Sequence, residues 1–75
     1  MKIRDLEVGQ RGVIRRYGDC DREYRQKLLH MGVTRGTEFT LMRKAPLGDP
    51  VEIELKDFCL TLRQHEADAL EVEAL

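Results

Sequence analysis

The chain of 75 residues has no serine and no tryptophan. It has only two cysteines, two prolines and four aromatic residues. Each shortage excludes something. Without serine there is no seryl nucleophile to work with a histidine and an aspartate. Cys20 and Cys59 form no Cys-x-x-Cys motif, which argues against both a disulfide framework and a thiol redox pair. Neither has a histidine at a catalytic spacing, and Cys59 falls on an expected strand face with nothing adjacent to activate it. Tyr17, Tyr24, Phe39 and Phe58 are too scattered to line a groove for proline-rich peptides. No glycine-rich phosphate loop occurs. No segment approaches the roughly 20 apolar residues of a membrane span. After Met1 comes Lys2-Ile3-Arg4-Asp5, which lacks the apolar run of a secretory signal. A reducing cytoplasm with two free thiols is the simplest account.

Charge is what the chain has in plenty. Asp, Glu, Lys and Arg make up 36% of the residues, against a usual value of about 25%. The excess belongs on a well-hydrated surface. The net charge of −1 argues against a general nucleic-acid binder. Yet residues 1–44 hold eleven Lys/Arg and six Asp/Glu, a balance of +5, while residues 45–75 hold two and eight, a balance of −6. Folding is expected to mix the halves into a solvated, mutually paired surface. A chain this short makes one domain, residues 1–75, and buries only roughly 60% of its unfolded surface.

The patterning sets the class. From Arg35 to Arg63 the chain reads RGTEFTLMRKAPLGDPVEIELKDFCLTLR, with alternating apolar and polar residues on either side of two turns. Period two means a sheet with one buried and one wet face, and consecutive strands form a meander. Phe39 and Leu41 point inward on one strand, Val51, Ile53 and Leu55 on the next, and Phe58, Leu60 and Leu62 on the third. Val13 to Tyr17 forms an earlier strand, where Val13 and Ile14 fall on opposite sides unless a bulge intervenes. Leu70, Val72 and Ala74 close the set as a fifth strand. Ile3, Leu6 and Val8 supply small apolar contacts near a first turn. Tyr24, Leu28 and Met31 form one helical stripe, with Asp21 as N-cap and Gly32 as the stop, so the spacing predicts a helix over Arg22–Met31. His65 to Ala69 makes one helical turn. The expected fold is mainly β with one short α-helix, a small SH3-like five-stranded barrel whose closure removes exposed edges.

One cluster has metal-ligating residue types. Asp19, Cys20 and Asp21 lie in one loop, and His30 ends the helix that follows. The spacing matches no regular zinc or iron pattern, and a polar capping loop is the simpler account. His65 and Asp68 could meet a surface metal at i and i+3.

The stretch from Tyr24 to Leu55, YRQKLLHMGVTRGTEFTLMRKAPLGDPVEIEL, resembles the FeoA family, ferrous iron transport protein A of bacteria. Three features carry the resemblance. They are Leu28-Leu29-x-Met31-Gly32 followed by Gly36, the six residues Ala45-Pro46-Leu47-Gly48-Asp49-Pro50, and Leu60-Thr61-Leu62-Arg63 before a helical turn. It spans about residues 9 to 73. Arg35 stands where many relatives have proline, and Asp57 where many have glycine in the hairpin turn. The two cysteines are outside the family pattern. The resemblance implies a cytoplasmic SH3-like barrel without cofactor or enzymatic activity. It also implies a role in Fe(II) uptake through the membrane transporter FeoB, reached at the inner face of the membrane without insertion. Weak self-association is compatible with it.

The expected contact region is the helix end and the 45–50 loop. It comprises Arg25, Leu28, Leu29, Met42, Ala45, Pro46, Leu47, Gly48, Asp49 and Pro50. Pro46 and Pro50 stiffen the loop, so little entropy is lost on binding. Leu47 lies at a turn tip, Leu29 is off the core stripe, and Met42 points with the polar residues of its strand. Together they could form one apolar patch rimmed by Arg25, Arg43 and Lys44. The competing structural reading folds Leu47 over a barrel end. Two other functions compete: an Fe(II)-binding sensor or metallochaperone built on Asp19, Cys20, Asp21 and His30, and an SH3-like domain akin to those of iron-dependent repressors.

Overall fold

The alternating segments become five antiparallel strands in a computed structural model that describes all residues from Met1 to Leu75. A 3-10 turn over Ile3–Asp5 precedes β1 (Arg11–Tyr17), α1 (Arg22–His30), β2 (Glu38–Lys44), β3 (Val51–Glu54), β4 (Cys59–Leu62), α2 (Gln64–Ala67) and β5 (Leu70–Ala74). The strand order is β4-β3-β2-β1-β5. This SH3-like sheet curls round a core of 14 residues that includes Ile14, Phe39, Leu41, Ile53 and Leu70. Closure is incomplete, contrary to the expectation that no edge remains. The sheet begins at β4 and ends at β5, with no ladder between them. The chain crosses that seam through α2, which leaves β4 only four residues long.

Two bulges settle the awkward residues. The β1–β5 register shifts between Ile14 and Arg16, which lets Val13 and Ile14 both be buried. The β2–β3 register shifts between Leu41 and Arg43. Met42 sits in that irregularity and stays outside, 42% exposed, while Leu41 is fully buried. Gly12 is where β1 must pass close to the core. A Cβ there would lie 2.8 Å from Cζ of Phe39 and 3.1 Å from the Glu73 carbonyl oxygen.

The helix begins where the sequence places it and ends one residue earlier, at His30, with Met31 as its cap. The Asp21 carboxylate accepts the Glu23 N–H at 3.4 Å, capping the first turn. At the other end Gly32 takes φ +86°. Its N–H donates to the Leu29 carbonyl at 3.1 Å, and the Val33 N–H donates to that of Leu28 at 3.0 Å. This is a Schellman stop, completed by the burial of both Val33 and Leu28.

Several expected core positions come out differently; Tyr24 and Met31 on the helical stripe are only half-buried. Phe58 is 40% exposed, standing directly after the Lys56-Asp57 turn and before β4 begins. Leu60, two residues on and within β4, is half-buried. Ala74 is exposed at the end of an edge strand, and Val8 is exposed in the turn before β1. Asp57 also keeps a negative φ, so this turn does not need the left-handed conformation that glycine favours.

Tyr24 is half-buried, and its hydroxyl has no hydrogen-bond partner. Burial pushes its phenol well above the ordinary tyrosine value, and the nearby Glu66 carboxylate adds to the shift. The folded state therefore holds this proton longer than the unfolded chain. Stability is full below pH 10 and falls as pH rises above it, since the unfolded phenol ionises first. Tyr24→Phe removes both the orphan hydroxyl and that proton. The variant should be as stable as the parent or up to about 1 kcal/mol more so, and should lose part of the alkaline instability. Urea denaturation at neutral pH and at pH near 11 checks both outcomes. Gly12→Ala should cost about 1–3 kcal/mol, read as a lowered denaturation midpoint, because the Phe39 ring must move.

Candidate functional site

The expected contact residues separate once their structural tasks are identified. In the 45–50 loop the Ala45 N–H donates to the Pro50 carbonyl at 3.0 Å, and the Gly48 N–H to the Ala45 carbonyl at 2.7 Å. Gly48 takes φ +80°, and the Asp49–Pro50 peptide is cis. Asp49 Oδ1 accepts the Gln64 N–H at 2.9 Å, tying the loop to the start of α2. Ala45, Gly48, Asp49 and Pro50 thus shape and anchor the loop. Pro46 and Leu47 are left at its tip. Leu47 is 93% exposed, which disposes of the reading that it folds over a barrel end.

The helix divides in the same way. Leu28 is fully buried and forms part of the core, so it offers no surface. Leu29 is 43% exposed and has no packing task. Arg25 places its guanidinium carbon 5.4 Å from the centre of the Tyr17 ring, a cation–π contact. The Tyr17 hydroxyl donates to the Val33 carbonyl, so this pair braces α1 against β1. Lys44 is also engaged, donating from Nζ to the Arg4 carbonyl at 3.0 Å. Arg43 takes part in no ion pair and lines a hollow with Ala45, Pro50 and Thr61. Leu29 lines a different hollow with Gln26 and His30. The apolar residues without structural tasks are therefore Pro46 and Leu47 at the loop, Leu29 on the helix and Met42 on the bulge. No hollow is lined by residues from all three elements.

Four side-chain ion pairs tie parts of the charged surface together. Lys2 reaches Glu71 at 2.7 Å, Arg11 reaches Glu38 at 2.6 Å, Arg15 reaches Glu73 at 2.5 Å, and Arg4 meets Asp68. Three of these four pairs join the basic first part of the chain to the acidic last part. The Lys2 ammonium hydrogen-bonds to Glu71 and holds its carboxyl below the ordinary value. These three pairs bring the basic first part of the chain against the acidic last part and offset part of the asymmetry along the sequence.

The metal-ligating residue types do not meet as the sequence suggests. Asp19, Cys20 and Asp21 face His65 and Glu66 of α2 across a hollow also lined by Tyr24. His30 lies at the separate hollow beside Leu29. No three His, Cys, Asp or Glu side chains converge closely enough to hold an ion. Sequence reasoning missed Phe58, which alternation sends inward but which stands exposed. Its place immediately after a two-residue turn was the available signal.

Comparison with known proteins follows the same outline. The family model described as FeoA domain matches residues 1–74. The chain is 33% identical over 75 residues to the Fe(2+) transport protein A/Fe(2+) transporter FeoB fusion protein of Porphyromonas gingivalis (strain ATCC BAA-308 / W83). That match covers 100% of this chain and 9% of the fusion protein, so the chain spans less than a tenth of that relative. The solution structure of the FeoA protein from Chlorobium tepidum superposes with a TM-score of 0.90 at 33% identity, covering 100% of this chain and 70% of that one. The iron(II) transport protein A of Clostridium thermocellum gives 0.88 at 36% identity, with 100% and 46% covered. With the family model matching from the first residue to the last but one, and these two structures sharing the fold throughout, the chain belongs to the FeoA domain family.

Proposed function

We propose that this chain is an accessory protein of ferrous iron uptake that acts by docking on the cytoplasmic part of a FeoB-type transporter. The observation that carries the reading is the fusion protein of Porphyromonas gingivalis, in which a segment similar to this whole chain shares one polypeptide with a transporter. Segments joined in one relative act in the same process, and in separate chains the link becomes a non-covalent contact. Ferrous ion is the transporter's cargo in this reading, and no catalytic step falls to the accessory chain. No helix is long and apolar enough to cross a membrane, so recruitment to the inner face runs through the partner.

The docking surface is the 45–50 loop tip together with Leu29 and Met42. Leu47 has the physical character of an anchor. It is apolar, almost wholly exposed, and held by a loop whose ends and middle are all hydrogen-bonded. A side chain already presented in its bound shape loses little entropy on burial. A buried apolar anchor at the centre of an interface contributes about 2 kcal/mol. Arg43 supplies an unpaired positive charge at the rim.

Leu47→Asp should leave the denaturation midpoint unchanged, and Leu29→Asp should leave the fold intact with at most a small drop, since an acid in the last helical turn is disfavoured. Each should weaken binding to the isolated cytoplasmic domain of a FeoB-type transporter, by about tenfold or more for Leu47. Biolayer interferometry with and without guanine nucleotide measures this. Parental affinity in the double variant would move the contact to another face.

A further inference from the structure

We propose that the free edge of β4 pairs with β4 of a second copy of this chain, in one antiparallel register centred on Leu60. The two sheet edges are treated very differently. At β5 the Val72 N–H donates outward to the Met1 carbonyl at 2.9 Å, and Glu71 and Glu73 put charge along the strand. At β4 nothing comparable exists. Phe58-Cys59-Leu60-Thr61-Leu62 carries no charge and no proline, two of the devices that blunt an edge; its shortness alone limits pairing.

The hydrogen-bond phase of β4 fixes which groups are free. The Leu55 N–H donates to the Phe58 carbonyl at 2.8 Å across the hairpin turn. Alternation along an antiparallel pair then turns the N–H and C=O of Phe58, Leu60 and Leu62 toward β3, and those of Cys59 and Thr61 away from it. No turn or loop backbone group bonds to Cys59 or Thr61. Both residues are exposed, and Phe58 stands beside them.

Charge selects the occupant and the register. Asp57 and Arg63 flank the uncharged run at equal distances from Leu60. Both are exposed, and neither belongs to an ion pair within the chain. With two copies antiparallel and Leu60 opposite Leu60, Cys59 of one copy bonds Thr61 of the other. Phe58 then stands opposite Leu62, and Asp57 opposite Arg63, at both ends. A slip of one residue turns the free backbone groups away from each other. A slip of two residues breaks both charge pairs. The strand is thus complementary to itself in a single arrangement, as a two-fold interface requires. So short an edge makes a weak, concentration-dependent dimer, which salt weakens further.

Sedimentation equilibrium of the full chain, with amide exchange followed by NMR at rising protein concentration, tests this. The average mass should rise with concentration while exchange at Cys59 and Thr61 slows. Asp57→Arg, which places like charges opposite each other at both ends, should weaken association about tenfold, and the double variant D57R/R63D should restore it. Leu47→Asp should leave it unchanged. A chain that stays monomeric at all concentrations overturns the proposal. So does association that leaves Cys59 and Thr61 exchange unaltered, that the charge swap fails to restore, or that Leu47→Asp abolishes.

Discussion

Sixteen buried apolar side chains hold these 75 residues in shape, and every other feature depends on how few they are. A chain this short has a high ratio of surface to volume, so its core is about one layer of side chains deep. That thinness explains why Gly12 must be bare for Phe39 to fit, and why two strands need bulges to send neighbouring residues to the right side. It also gives meaning to the apolar residues left outside. In a molecule short of core material, Leu47, Leu29, Met42 and Phe58 on the surface are a real loss of buried area. Each sits where the backbone itself forces exposure: a hairpin tip, the outer side of a capped helix, a bulge, and the residue after a tight turn.

The motifs that mark the family combine two kinds of residue. In Leu28-Leu29-x-Met31-Gly32, Leu28 and Gly32 make the helix stop, together with Val33 and the Leu29 carbonyl, while the Leu29 side chain stays outside the core. In Ala45-Pro46-Leu47-Gly48-Asp49-Pro50, four residues build and fasten the loop and Pro46 and Leu47 are what it presents. A motif of this kind describes a scaffold and its cargo of surface groups at once. The surface residues emerge only after the hydrogen bonds of the scaffold have been assigned.

Much of this was legible in the sequence for simple reasons. Alternation in β2 and β3, the Asp21 cap, the Gly32 stop and the bulge after Ile14 all follow from local periodicity and local backbone preference. Periodicity reports which side a residue faces, however, and not how deeply that side is covered. Phe58 and Ala74 have the right parity for the core face and yet stand exposed. The same gap affected the side-chain clusters. His30 is close in sequence to the 19–21 loop, yet His65 and Glu66 face that loop, because α2 folds back across the seam. Arg25 was expected at the rim of a patch and instead lies over Tyr17, a contact that no spacing rule encodes. The open seam was equally hidden, since strand count alone does not say whether the first and last strands of a sheet meet.

The bond from Asp49 to the Gln64 N–H joins the presented loop to the short helix that spans the gap between the sheet's outer strands. Whatever grips the loop therefore also steadies that helix, as a hand on a latch steadies the door behind it. Attachment and local rigidity are mechanically linked in this chain.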